Sequence, residues 1–430
     1  MNIDSVAIQS PHEGNSGTSI RQPGRVASCG PPAKRLISFC MRSAFIRLLF
    51  LLAPVVAVAS DPIADLQQRI KGGQAKLEFE KDHGYLVSLL KVLKVPVSSQ
   101  TLVFSKTSLQ SERISPKTPR AIYFNDDVYV AWVQGAGLIE IMSTDPQKGP
   151  NFYVLSQERS DHPEFERSTG HECSVCHYVA EAAPKFVPRL LVSSVIPDTT
   201  GNVEGTFPIE TTDQSPMKER WGGWYVTGTH GNQLHAGNIM LGRPASVFGG
   251  TPSAASTKSS NVVDLKTFFD TTPYLTPHSD IVALMVLTHQ KEVENRIVLA
   301  SSKGDAAAKQ TGEALIKAMF FAGAVPLTAP VKGTSTFAAE FAGQGPRDSR
   351  GRSLRDFDLQ TRLFRYPLSY LIYSKSFDAL PAGVKTYVYR RLHEILSGED
   401  KSKDFAYLST ADRTAILEIL RATKPDFPRG

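Results

Sequence analysis

Ala121-Ile122-Tyr123-Phe124-Asn125-Asp126-Asp127-Val128-Tyr129-Val130-Ala131-Trp132-Val133 is the stretch on which the fold turns. Two runs rich in aromatic and β-branched residues, 121–124 and 128–133, flank Asn125-Asp126-Asp127, a trio that favours a turn. The apolar period here is two, the signature of strands. Residues 138–142 and 152–155 repeat the pattern, and Gly135-Ala136-Gly137 separates the second run from the third. The four runs together predict an antiparallel meander.

Working outward, the period changes on both sides. Residues 61–95 are helical in pattern: Asp61-Pro62 supplies a cap and a first-turn proline, and Ile63, Leu66 and Ile70 recur at helix spacing. Leu86, Leu89 and Leu90 begin a second helix. Beyond the meander, 190–196, 203–208 and 221–229 read as further strands. The last contains Trp221-Gly222-Gly223-Trp224-Tyr225, either an aromatic β-core with glycine bulges or a wall built close to something flat. Residues 249–262 are poor in apolar side chains and read as a linker. After it, helices are expected at 280–301, 306–322, 359–373, 382–397 and 410–422. In the first of these Val282, Met285, Val286, Val293 and Ile297 share a face with His289. Segment 327–358, with Arg347, Arg350, Arg352 and Arg355 among acids, reads as a solvated loop. The fold class is therefore α+β: an antiparallel β-rich part over 61–248, a linker over 249–262 and a mostly helical part over 263–430.

The N-terminal 60 residues have another character. Residues 1–40 are rich in Ser, Gly and Pro without periodicity, and are read as a non-native or disordered extension. Met41 opens a basic start, an apolar run from 48 to 58 and Ala57-Val58-Ala59, the layout of a secretory signal peptide over 41–60. The run is too short to span a bilayer; an uncleaved signal that anchors the chain is the alternative. Export to the periplasm or an equivalent compartment is the expectation. Of 48 basic and 42 acidic residues, six and two lie in 1–60, which leaves 42 and 40 beyond it and a net charge of +2. The basic balance belongs mostly to the leader and gives no support for nucleic-acid binding. Cys29 and Cys40 also fall there, so the exported chain keeps only Cys173 and Cys176.

Those two form Cys173-Ser174-Val175-Cys176-His177, the C-x-x-C-H attachment signature of c-type haem. Cysteines three apart on a helical turn lie on one side and can form thioethers to neighbouring vinyl groups. His177 then offers a neutral imidazole nitrogen to iron. Two other readings use the same residues: a zinc site with His171 as fourth ligand, and a redox-active or structural cysteine pair. The first crowds all four ligands into seven residues, and the second lacks a βαβ context.

The ligand opposite His177 decides the function, because two strong ligands favour electron transfer and an open position favours small-molecule chemistry. His230 is the first candidate for that distal position, since it follows an aromatic strand in a Gly-flanked turn; His235, His289 and Met240 are the others. His289, on an apolar helix face, also fits a hydrogen-bonded core histidine. No carboxylate pair, Ser-His-Asp pattern or phosphate loop stands out.

The pentad behind a signal peptide resembles exported monohaem c-type cytochromes, of a large kind rather than small class I cytochromes c. The segment from Leu408 to Leu420 is loosely similar to the closing helix of the small ones. The resemblance implies one covalent haem c on Cys173 and Cys176, His177 as proximal iron ligand, electron transfer and a redox partner protein. A haem-dependent oxidoreductase with an open sixth site and a haem-based redox or ligand sensor are the alternatives.

Overall fold

The computed structural model describes residues 61–168, 177–179, 187–203, 208–242, 254–256 and 261–428. The leader, His171, Cys173, Cys176 and most of the expected linker lie outside them.

The expected meander is the centre of a seven-stranded antiparallel sheet. Its strands are β1 (Thr101–Val103), β2 (Arg120–Phe124), β3 (Val128–Trp132), β4 (Leu138–Asp145), β5 (Gly149–Ser156), β6 (Phe165–Arg167) and β7 (Trp224–Tyr225), in the order β7-β1-β2-β3-β4-β5-β6. The Asn125 side chain makes the first turn, its Oδ1 accepting from the N–H groups of Asp127 and Val128 at 3.0 and 2.8 Å. Pairing register then sorts the side chains into two rows. Tyr123, Val130, Ile141 and Tyr153 are cross-strand partners on one face; Phe124, Tyr129, Met142 and Phe152 are partners on the other.

The first face is covered by helices α1 (Pro62–Lys71) and α2 (Leu86–Leu93), through Ile63, Leu66, Leu86 and Leu89. Each such buried side chain contributes about 1.5–3 kcal/mol of transfer free energy. Asp61 ties this layer to the sheet. It caps α1 through the Ile63 N–H and also accepts from Ser143 Oγ, Asn151 Nδ2 and Tyr153 Oη. The second face packs on the helical part: α3 (Ile281–Lys303), α4 (Ala308–Met319), α5 (Phe337–Ala342), α6 (Lys375–Asp378), α7 (Ala382–Ser397) and α8 (Thr410–Thr423). One apolar cluster joins Phe124, Tyr129 and Met142 of the sheet to Met285, Leu315, Val388 and Ile416 of the helices. The fold is α+β, as expected. Among the described residues no helix is long and apolar enough to cross a membrane.

Helix α3 departs from the one-faced pattern read in the sequence. Every residue from Ile281 to Glu294 is buried, because sheet, short strands and the other helices enclose it on all sides. Its polar side chains are therefore paired inward. Gln290 Nε2 donates to the Asn125 carbonyl and to Tyr129 Oη, and its Oε1 accepts from Tyr370 Oη at 2.6 Å. Tyr129 Oη donates to Glu294 Oε2 at 2.9 Å.

Three sequence expectations change. The helix expected at 359–373 is an irregular loop ending in a short turn at Tyr370–Tyr373. Asp358 stitches that loop by accepting from the N–H groups of Gln360, Thr361 and Arg362, and Pro367 cannot donate a helical hydrogen bond. The strands expected at 190–196 and 221–229 shrink to pairs of residues, Ser193–Ser194, Trp224–Tyr225 and Gly228–Thr229, and most of the strand expected at 203–208 lies outside the described residues. The arginines of 327–358 are paired rather than simply solvated. Arg355 is buried over the Phe341 and Tyr370 rings and pairs with Asp126, while Arg352 bridges Asp348 and Glu418.

The Trp-Gly-Gly-Trp segment is a tight turn leading into β7, with both tryptophans in the aromatic core. Trp221 is fully buried and its Nε1 donates to Thr288 Oγ1 of α3 at 3.2 Å. Gly223, at φ +80°, lets the chain pass Ser105, whose Oγ would lie 2.7 Å from an added Cβ.

Candidate functional site

His177 is the one residue of the pentad among those described. Its surroundings are set by the sheet and by the strand pair Tyr178–Val179 with Val187–Pro188, which returns the chain alongside it. Two hydrogen bonds clasp it to Arg189: the Arg189 N–H donates to the His177 carbonyl at 2.6 Å, and His177 Nδ1 lies 2.9 Å from the Arg189 carbonyl oxygen. A carbonyl only accepts, so Nδ1 carries the proton and Nε2 carries the lone pair. Burial holds the imidazole below its ordinary pKa, the Arg189 carbonyl opposing this in part. The ring is thus a neutral imidazole with Nε2 available, the form in which histidine ligates a metal.

The walls around it come from the second face of the sheet. The Phe152 ring stands 4.8 Å from the His177 ring. Arg120 pairs with Glu140 at 3.0 Å, and both charges act on His177, as does Arg189. The Nε atoms of Arg120 and Arg189 are buried and make no hydrogen bond among the described residues. Leu190, next to Arg189, fastens this strand to α3 through both atoms of the Asn295 amide.

The distal candidates are held by separate elements: His230 and His235 by the loop after Gly228, Met240 by a short ladder and His289 by α3 itself. The His230 loop follows Gly228, where an added Cβ would lie 2.4 Å from Ile281 Cγ2. Ile281 and Asn295 are fourteen residues apart on α3, about 21 Å at 1.5 Å per residue. His230 Nδ1 donates to the Gln233 carbonyl at 2.7 Å, and its buried Nε2 makes no hydrogen bond. His235 is buried beside it, ring centroids 4.8 Å apart, with neither ring nitrogen hydrogen-bonded. The Gly237 backbone approaches the His235 ring without reaching hydrogen-bond geometry. Met240 is half-buried in a short ladder with Ala254–Ser256.

His289 has no free nitrogen. Nδ1 pairs with Asp213 Oδ2 at 2.7 Å and Nε2 with Ser369 Oγ at 2.9 Å, and the ring stacks on Phe321 at 3.9 Å. The core-histidine reading fits this placement. The order Asp-His-Ser matches a nucleophilic relay in connectivity, but Ser369 and His289 are both 0% exposed. No substrate reaches such a serine in this fold, and the trio acts as a tether between the 213 loop, α3 and the 369 turn. Sequence reading missed it because its members are 76 and 80 residues apart, with no local pattern to mark them.

The buried pair also sets an acid response. Burial pushes the His235 imidazole down to about 3, with His230 adding to the effect. In the unfolded chain the ring protonates near 6.5, so protons favour unfolding between those values. The stability present above that pH falls as pH drops, by about 1.4 kcal/mol per pH unit. From pH 7 to pH 5 the unfolding free energy should fall by about 2 kcal/mol more in the unaltered protein than in His235→Gln. Urea titrations at the two pH values measure this; parallel slopes would contradict it.

Among the described residues no group of three or more His, Cys, Asp or Glu is placed to hold a metal ion. Comparison with family models, curated proteins and solved structures finds no match for the chain.

Proposed function

We propose that this chain is an exported electron-transfer protein that carries one haem c on Cys173 and Cys176, with His177 as the proximal iron ligand. The observation that carries the reading is the His177–Arg189 clasp. It places the ring proton on Nδ1 and leaves Nε2 for a metal, directly after the C-x-x-C spacing that fixes a haem covalently. A haem held there supplies one-electron exchange at its iron.

The chain's own residues have definable tasks. The Arg189 carbonyl orients the imidazole, and burial keeps it neutral. Phe152 keeps water from one side of the ring. Arg120 and Arg189 keep positive charge beside the site, and each retains a buried N–H donor suited to a carboxylate such as a haem propionate. The leader at 41–60 fits attachment outside the cytoplasm, and a redox partner protein receives or supplies the electron.

Optical and spin-resonance spectra of the purified protein test the reading. Low-spin, six-coordinate iron indifferent to cyanide and carbon monoxide is the expected result, a second side chain filling the sixth position, for which His230, with its buried Nε2 unpartnered, is the first candidate. High-spin iron that binds them readily would replace electron transfer by a haem-dependent oxidoreductase or a ligand sensor.

A further inference from the structure

Glu294 of α3 is 3% exposed, and its hydrogen-bond partners among the described residues are neutral. Tyr129 Oη donates to its Oε2 at 2.9 Å, and Gln290 Nε2 lies 3.5 Å from its Oε1. The charge of a carboxyl in such a place responds strongly to any other charge nearby. We propose that Glu294 takes up one proton from solvent when the haem at His177 receives an electron from its redox partner, and returns that proton on oxidation. The proposal rests on the electron-transfer reading of the His177 centre.

Two paths of contact join Glu294 to His177. Along the sheet, Tyr129, Met142 and Phe152 are successive cross-strand partners on the face that packs against α3. Two strand spacings put Tyr129 about 10 Å from Phe152, whose ring stands 4.8 Å from the His177 ring. Along the helix, Asn295 follows Glu294, and its amide holds both backbone groups of Leu190 at 2.8 and 3.0 Å. Leu190 adjoins Arg189, whose carbonyl lies 2.9 Å from His177 Nδ1. The length of this second path puts the Glu294 backbone within about 15 Å of the His177 ring. Unit charges about 10–15 Å apart, in an effective dielectric of about 20, shift each other's equilibria about tenfold.

The surroundings of Glu294 favour its neutral form. Burial pushes its carboxyl well above the usual carboxylate range; the Tyr129 hydrogen bond opposes this, and Asp127 and Asp126 of the β2–β3 turn reinforce it. Asp127 is itself raised, by burial and then by Asp126, with Lys375 of α6 opposing. Asp126 pairs with Arg355, whose guanidinium lies over the Tyr370 ring. Reduction lowers the charge at the haem by one, which disfavours a nearby carboxylate, so the acid holds its proton more tightly in the reduced protein. Tyr129 serves both forms of the acid, since a hydroxyl donates and accepts. A cavity of about 10 Å³, about the room one water needs, is lined by Asn125, Asp126 and Gln290. It leads from the turn, where Asp126 is partly exposed, to the Gln290 amide beside Tyr129 and Glu294.

The test is a redox titration of the exported haem protein over a series of pH values, its covalent haem first counted as pyridine haemochrome. The midpoint potential should be higher at acid than at alkaline pH, with plateaus about 59 mV apart, the equivalent of a tenfold difference in proton affinity. Glu294→Gln should lack that step. Within the step, the reduced-minus-oxidised infrared difference spectrum should gain a carboxylic acid C=O band that this variant does not show. Tyr129→Phe removes a donor that favours the carboxylate, so it should move the step to higher pH, and it serves if Glu294→Gln does not fold. A pH-independent potential in the unaltered protein, an equal step in folded Glu294→Gln, or an unmoved step in Tyr129→Phe would each overturn the proposal and leave electron transfer standing. A chain without covalent haem would overturn the electron-transfer reading itself, and the proposal with it.

Discussion

Serine at both Cys173 and Cys176 is expected to leave the exported protein with no covalent haem, against one per chain in the unaltered protein. Only a thiol adds to a vinyl group to give the thioether, and the smaller hydroxyl in the same position does not. The measurement is a pyridine haemochrome spectrum after acid-acetone extraction, which removes haem held by coordination alone. Haem retained through the extraction would refute attachment at this pair. His177→Ala separates ligation from attachment. It leaves both thioether positions intact and removes the Nε2 that the Arg189 clasp presents, so spin state should change or maturation should fail.

Asp280→Ala is expected to cost about 3–5 kcal/mol of stability, read as a shift in the urea midpoint. Asp280 is 1% exposed and satisfies five donors. One carboxylate oxygen caps α3 through the N–H groups of Val282 and Ala283, at 2.8 and 3.3 Å. The other accepts from the N–H groups of Thr334 and Ser335 and from Ser335 Oγ. Truncation leaves all five without their partner at a buried helix end. Asp280→Asn retains one acceptor but turns an amide toward three donors, and should recover only part of the loss. A cost below about 1 kcal/mol for the alanine variant would mean that water replaces the carboxylate.

Much of this architecture can be read locally. The Asn125 turn, the two-residue period of the meander, the Asp61-Pro62 cap and the limits of α7 and α8 each depend on residues a few positions apart. Local interactions of that kind survive into the fold because tertiary packing reinforces them. The C-x-x-C-H pentad belongs to the same class, since five consecutive residues contain its chemistry. Where packing overrides local preference, sequence reading fails. The 359–373 segment has helical spacing and yet follows the hydrogen bonds of Asp358.

The amino-acid sequence by itself determined the α+β class, the sheet's two-sided pattern and the helix caps, and it contains the C-x-x-C-H pentad on which the haem proposal rests. The tertiary structure alone decided which histidine nitrogens are free. His177 Nε2 makes no hydrogen bond among the described residues, because a carbonyl twelve residues on accepts from Nδ1. His289 is closed because Asp213 and Ser369 reach it from distant parts of the chain. His230 and His235 are left with unpartnered nitrogens because the chain folds over them. Periodicity tells which side of an element faces a neighbouring layer. The state of a buried imidazole depends on which groups the other layers bring to it, and those lie far away in sequence.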